Sequence, residues 1–151
     1  LLAPAALVEI RGELRMPGRA DAPIAVRRAG AEPWGAFAVL GERTAPVRVE
    51  LAHASFLGGG GSNAGAARYT GSVALYFTDL VMDHVTVGEN TSEDAINPKF
   101  STVHATDCLY RDGASDGVDY DFCSGVDLRS RVERFGNDGI DISGSRRRRA
   151  D

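Results

Sequence analysis

Three tetrads, Asp94-Ala95-Ile96-Asn97, Asp116-Gly117-Val118-Asp119 and Asp138-Gly139-Ile140-Asp141, recur with first residues 22 apart in both intervals. Acids repeated at a fixed step suit three kinds of work. A pair can divide acid and base roles, one carboxyl keeping its proton while the other is ionised. A cluster can give oxygens to Ca²⁺, which takes roughly six to eight of them. Each Asp can also cap backbone N–H groups at a corner, as Asp and Asn before Gly readily do. All three stay open. Asp116 and Asp138 are the candidate catalytic carboxyls, and Asp119 and Asp141 are the candidate Ca²⁺ ligands, Ca²⁺ being the one cofactor these oxygens suit. Asp119, Asp121, Asp141 and Tyr110 are the candidate ligand contacts, with Tyr69 the other tyrosine beside a loop; Trp34 and Tyr120 read as core.

Other residue types offer less. His53, His84 and His104 lack a ligand spacing such as His-Glu-x-x-His, which argues against zinc, and His84 and His104 read as lying on strand faces. Cys108 and Cys123 form no CxxC and no disulfide framework, and they read as two small buried thiols. Gly58-Gly59-Gly60-Gly61 lacks the Lys-Ser/Thr of a phosphate loop and reads as an excursion loop within one domain. No Gly-x-Ser-x-Gly elbow occurs. Arg129, Arg131 and Arg134, one segment from the acids, are the bases a uronate lyase would need, and solvated side chains otherwise.

The elements that must hold these residues are strands. Ala6–Arg11, Glu13–Met16, Pro23–Arg27, Trp34–Leu40 and Val47–Leu51 alternate apolar and polar residues at intervals of about ten, with Pro17-Gly18 and Gly41 as turn signals. After Tyr69 the segments Phe100–Tyr110 and Val126–Phe135 fill the gaps between tetrads, and Val73–Val87 is a preceding copy with a blurred tetrad. A fixed period of this size marks one supersecondary unit repeated. Three short strands and three corners use 22 residues and bring the chain one strand spacing, about 4.8 Å, along an axis. The fold class expected is therefore all-β, a right-handed parallel β-helix. Ile96, Val118 and Ile140 then form one inward stack, and Pro98, Tyr120 and Ile142 a second. Asp94, Asp116 and Asp138 form one acidic column, and Asn97, Asp119 and Asp141 another with Asp121 beside it. Like charges stacked so closely repel and need an offset.

The segments Pro23–Val26, Trp34–Leu40 and Phe56–Gly60 resemble the opening coils of bacterial right-handed β-helix proteins of the pectin-lyase-like superfamily, and the tetrads resemble their repeated Asp-Gly-Ile-Asp corners. That resemblance implies work on polysaccharides at a cell surface or outside the cell. Asp116–Asp119 and Gly136–Ser145 are also similar to the first two active-site motifs of polygalacturonase-type glycoside hydrolases, with Asp116 and Asp138 at the matching positions. Ala114-Ser115 stands where that family has Asn-Thr, Gly139 replaces the second Asp of its pair, and its Gly-His-Gly and Arg-Ile-Lys motifs do not occur.

Composition bounds the rest. At 151 residues, with 43% hydrophobic and 7% aromatic residues, the chain suits a single packed β-helix domain over residues 1–151, and starting at Leu1 it reads as a segment of a longer protein. No run approaches the roughly 18 apolar residues of a membrane span. Leu1 to Arg68 holds eight arginines against six acids, whereas Tyr69 to Ser145 holds fourteen acids against five bases. That acidic centre argues against a nucleic-acid partner, and Arg146–Arg149 reads as a solvated end. The function expected is a carbohydrate-facing binding or structural β-helix domain of a secreted or surface protein, with polysaccharide as partner and self-association through the terminal coils. The alternative is a polysaccharide hydrolase or lyase whose remaining motifs lie outside this chain.

Overall fold

The computed structural model describes residues 1–63 and 68–150, and for 146–150 the backbone alone. The chain is an all-β right-handed parallel β-helix whose strands form three parallel sheets. Sheet one contains β1 (Val8–Ile10), β4 (Phe37–Leu40), β7 (Gly71–Tyr76), β10 (Asp94–Lys99), β13 (Asp116–Asp121) and β16 (Ile140–Ser143). Sheet two contains β2 (Leu14–Pro17), β5 (Val47–Ala52), β8 (Thr78–Asp83), β11 (Thr102–Thr106), β14 (Ser124–Leu128) and β17 (Arg146–Ala150). Sheet three contains β3 (Ile24–Arg27), β6 (Ala54–Leu57), β9 (Thr86–Gly88), β12 (Leu109–Gly113) and β15 (Arg131–Phe135). Among the described residues no helix is long and apolar enough to cross a membrane.

Alternation along each strand builds the core as vertical files. In sheet one Val8, Phe37, Val73, Ile96, Val118 and Ile140 stand in register on successive levels. The first expected inward stack is thus present and extends through every coil; in the second, Tyr120 is buried but its partner Ile142 is 52% exposed. The blurred copy is explained too: Gly71 pairs Asp94, so that level has the period without the acid. Intervals along this file are 29, 36, 23, 22 and 22 residues. The repeat is visible in sequence only where the corners are short. In sheet three Val26, Phe56, Val87, Tyr110 and Val132 form another inward file. Each fully buried side chain of this size contributes roughly 1.5–3 kcal/mol.

The short corners turn on single residues in the left-handed backbone region, where β-branched residues are strained. Phe77, Phe100 and Phe122, each at φ 52°, turn sheet one into sheet two, and their rings stack at 5.1 Å. His53, His84, Asp107 and Arg129 turn sheet two into sheet three, and Glu89, Asp112 and Arg134 leave sheet three. The next residue takes up the freed backbone donors. Ser101 Oγ accepts from Thr78 N at 3.0 Å, Ser130 Oγ from Cys108 N at 3.2 Å and Ser145 Oγ from Cys123 N at 2.7 Å. Both cysteines occupy this small-residue position, free and buried as expected. The glycine run is an excursion between β6 and β7 rather than a linker. Gly61 has φ +73°, and a Cβ at Gly59 would meet the Trp34 ring at 2.8 Å.

Candidate functional site

The outward face of sheet one carries the site. Residues at the end of the excursion fold back over it, laying Tyr69 on Ala36, Ala38 and Ala74, a small apolar cluster separate from the core. On the next levels Asn97 follows Ala74 in register, Asp119 pairs Asp141, and Tyr76, Lys99 and Asp121 form the neighbouring file. Thr70 Oγ1 donates to Asn97 Oδ1 at 3.2 Å, and Asn97 Nδ2 donates to Asp119 Oδ2 at 3.0 Å and to the Asp119 carbonyl at 2.9 Å. Lys99 Nζ pairs Asp121 Oδ2 at 2.7 Å. Tyr69 stacks on Tyr76 at 5.9 Å and donates its hydroxyl to Glu9.

Covering a sheet's polar face buries charge. Asp94 is 2% exposed and Asn97 0%, and Asp94 Oδ2 and Asp119 Oδ1 are buried without a hydrogen-bond partner. Such a carboxyl resists ionisation. Burial foremost, opposed by the Thr70 hydrogen bond and helped by Glu93 and Asp116, lifts Asp94 to about 6. Burial, then Asp121 and Asp94, lifts Asp119 to about 7 against the pull of Lys99. Both acids therefore change charge near neutrality, as acid–base groups and proton-sharing ligand sites do. Beside them lies a polar groove of about 240 Å³ lined by Ser62, Asn63, Arg68, Thr70, Thr91 and Glu93 among others.

The sequence-derived residues fall into different places. Asp94 and Asp116 pair directly, as the ladder requires. Asp116 is a corner cap: its Oδ1 accepts from Asp138 N at 2.9 Å, Asn137 Nδ2 at 2.9 Å and Ser115 Oγ at 3.3 Å. Asp138 is exposed at the same corner. Asp119 and Asp121 lie within the buried polar cluster, while Asp141 is exposed on its rim. Tyr110 is a correction. It is 0% exposed in the inward file of sheet three, because the phase of β12 points it at the core, and burial drives its phenol well above its usual range. It faces no ligand. Tyr120, also expected inside, is buried and donates to Asp127 Oδ2 at 2.8 Å.

Asp119 Oδ2 and Asp121 Oδ2 already meet the Asn97 amide and the Lys99 ammonium, so of the oxygens around the position expected for Ca²⁺ these two are taken, while Asp119 and Asp141 stand as register partners on successive levels. Asp94, Asn97, Lys99 and Tyr76 were not singled out from sequence as site residues. Their signal was available in part: alternation through Ile96–Lys99 puts Asn97 and Lys99 on the face opposite Ile96, whereas Ala95 and Ile96 both enter the core and break the pattern before Asp94. Burial of Asp94 depends on the covering excursion, which no periodicity encodes. His84 departs from its expected strand face and sits at a corner, whereas His104 lies exposed on β11. Compared with known protein families, curated proteins and solved structures, the chain matches none.

Proposed function

We propose that the outward face of sheet one is a carbohydrate-binding surface, and that the protein is a pectin-lyase-like β-helix domain working at a cell surface or outside the cell. The observation that carries the reading is the half-buried Asp119, whose Oδ1 lacks a partner, set over the buried Asp94 and Asn97 and beside the file of Tyr76, Lys99 and Asp121. Sugar hydroxyls donate and accept at once. The half-buried Asp119 carboxyl, part protonated near pH 7, offers both roles, Lys99 adds a donor, and the Tyr76 ring beside Tyr69 supplies apolar surface for a sugar face. The adjoining groove of about 240 Å³ extends the polar surface past the cluster. Isothermal titration with neutral and uronate-containing oligosaccharides tests this. The expected result is saturable binding that falls at least about tenfold in Asp119→Asn and Tyr76→Ala, one lost polar or stacking contact each. Binding by neither class, or binding indifferent to both substitutions, overturns the reading.

A second reading, polysaccharide hydrolysis, is favoured by one feature: two neighbouring acids whose ionisation is pushed to about 6 and about 7. In that reading the general-acid role moves from Asp116 and Asp138 to Asp119, with the buried Asp94 raising its proton affinity, since Asp116 is spent on the corner. Release of reducing ends, abolished in Asp119→Asn with binding retained, would distinguish hydrolysis from binding alone.

A further inference from the structure

The corner between sheets two and three gathers a second set of chemically capable side chains. Ala52 and Asp83 are register partners, so the residues after them, His53 and His84, occupy the same corner on successive coils. Both have left-handed backbones, φ 42° and 52°, and His53 N and His84 N donate to the Asp83 and Thr106 carbonyls at 2.9 and 3.1 Å. These bonds hold the two imidazoles one above the other, centroids 4.7 Å apart and planes 29° from parallel. Asp83 Oδ1 lies 2.9 Å from His84 Nδ1. A nitrogen from each ring and a carboxylate oxygen of Asp83 all fall within 4.8 Å of one another.

One level on, the same corner is closed. Arg129 takes both oxygens of Asp107, at 2.8 and 2.6 Å, so cation and anion are matched there. At the His53–His84 level no arginine occupies the corner position, and the His84 and Asp83 side chains are about half exposed. Beside Asp83 a groove of about 370 Å³ runs along sheet two between Met16, Pro17, Leu51, Ala52 and Val81.

We propose that His53, Asp83 and His84 bind one divalent transition-metal ion of the zinc class. Two imidazoles and one carboxylate form a nitrogen-rich donor set for such an ion, where Ca²⁺ or Mg²⁺ would want oxygens alone. Three protein ligands leave coordination positions for water or an incoming group, as in open zinc sites, and the apolar groove begins beside Asp83. The ion closes the ligand set by shifts of exposed side chains, with the corner backbone unchanged. This proposal is independent of the carbohydrate reading, which concerns another sheet.

The test is calorimetric titration of tag-free, chelator-treated protein with Zn²⁺. The expected result is one ion per chain, with affinity reduced at least about tenfold in His53→Asn, His84→Asn and Asp83→Asn and unchanged in His104→Asn on β11. Asparagine accepts left-handed backbone readily, so the corners are kept. A second measurement needs no ligand variant: in the wild type, Co²⁺ should give the ring signals of His53 and His84 the large contact shifts of ligated imidazoles, and His104, two residues along the neighbouring strand, only the smaller through-space shift. No saturable uptake of Zn²⁺, equal binding by the His53 and His84 variants, or a Co²⁺ effect centred on His104 overturns the proposal.

Discussion

Two acid-rich columns run along this solenoid, and they solve the problem of stacked like charge in opposite ways. At the corner leaving sheet three, acids and arginines alternate. Arg111 pairs Glu89 at 3.1 Å and Asp112 at 2.5 Å, and Arg134 pairs Asp112 at 2.5 Å and Glu133 at 3.0 Å. Every carboxylate there meets a guanidinium, and Arg134 foremost, with Arg111, holds Asp112 down at about 2. On the outward face of sheet one, Asp94, Asp119 and Asp121 share one ammonium, Lys99, and two of the acids keep an oxygen with no partner. Fold maintenance alone accounts for the first column. The second is held in an uncomfortable state by its cover, the condition in which a ligand has most to offer.

The contrast breaks most severely at Lys99. Lys99→Met leaves the Asp121 carboxylate half-buried and unmatched, and the expected loss is about 2–4 kcal/mol at pH 8 by urea denaturation, since removing one partner of a buried pair strands the other. Equal stability of the variant would erase the distinction between the columns.

Asp119→Asn sharpens it in the opposite direction. A carboxyl whose native pKa is raised holds a proton that the unfolded chain has already released. Stability therefore falls as pH rises from about 4, the unfolded value, to about 7 for Asp119, and stays lowered above that. Removing the charge should raise stability by about 1–3 kcal/mol at pH 8 and leave it unchanged at pH 4. Asp112 runs the other way: its pKa is depressed to about 2, so its contribution is present above pH 4 or so and is lost as pH falls toward 2. A melting temperature greatest near pH 4–5 expresses both columns at once; a profile rising steadily to pH 8 would contradict the sheet-one half.

The smallest effect belongs to the matched column. Arg134 is 60% exposed, and Arg134→Gln should move the melting temperature only slightly, with the difference shrinking in high salt. A larger, salt-insensitive loss would mean that this ladder too is under strain.

Much of the fold was legible because its physics is local and periodic. Pro23–Arg27 and Val47–Leu51 alternate as half-buried strands must, and the 22-residue step of the tetrads carries the register of Asp94 with Asp116 and of Val118 with Ile140. What escaped were features set by phase or by long excursions. Tyr110 lies near a corner in sequence, yet alternation from the core residue Cys108 points it inward. His53 and His84 are 31 residues apart, because the excursion before β7 lengthens that coil and hides their equivalence. Strand-by-strand comparison would have shown it: Val49-Glu50-Leu51-Ala52-His53 and Leu80-Val81-Met82-Asp83-His84 share one pattern and one register. Burial of Asp94 has no such signature.

The one-residue corners bear on how such a chain can change over generations. A turn made at a single backbone position has no slack, so an added or lost residue there would shift every side chain beyond it to the wrong side of the wall. Whole rungs of 22 residues can be copied or deleted without that disturbance, because each begins and ends on the same geometry. The longest connections of this chain, Arg27 to Phe37 and Leu57 to Gly71, run from sheet three to sheet one beside the polar wall, so added residues there reshape the edge of the site and leave the register of the tube intact.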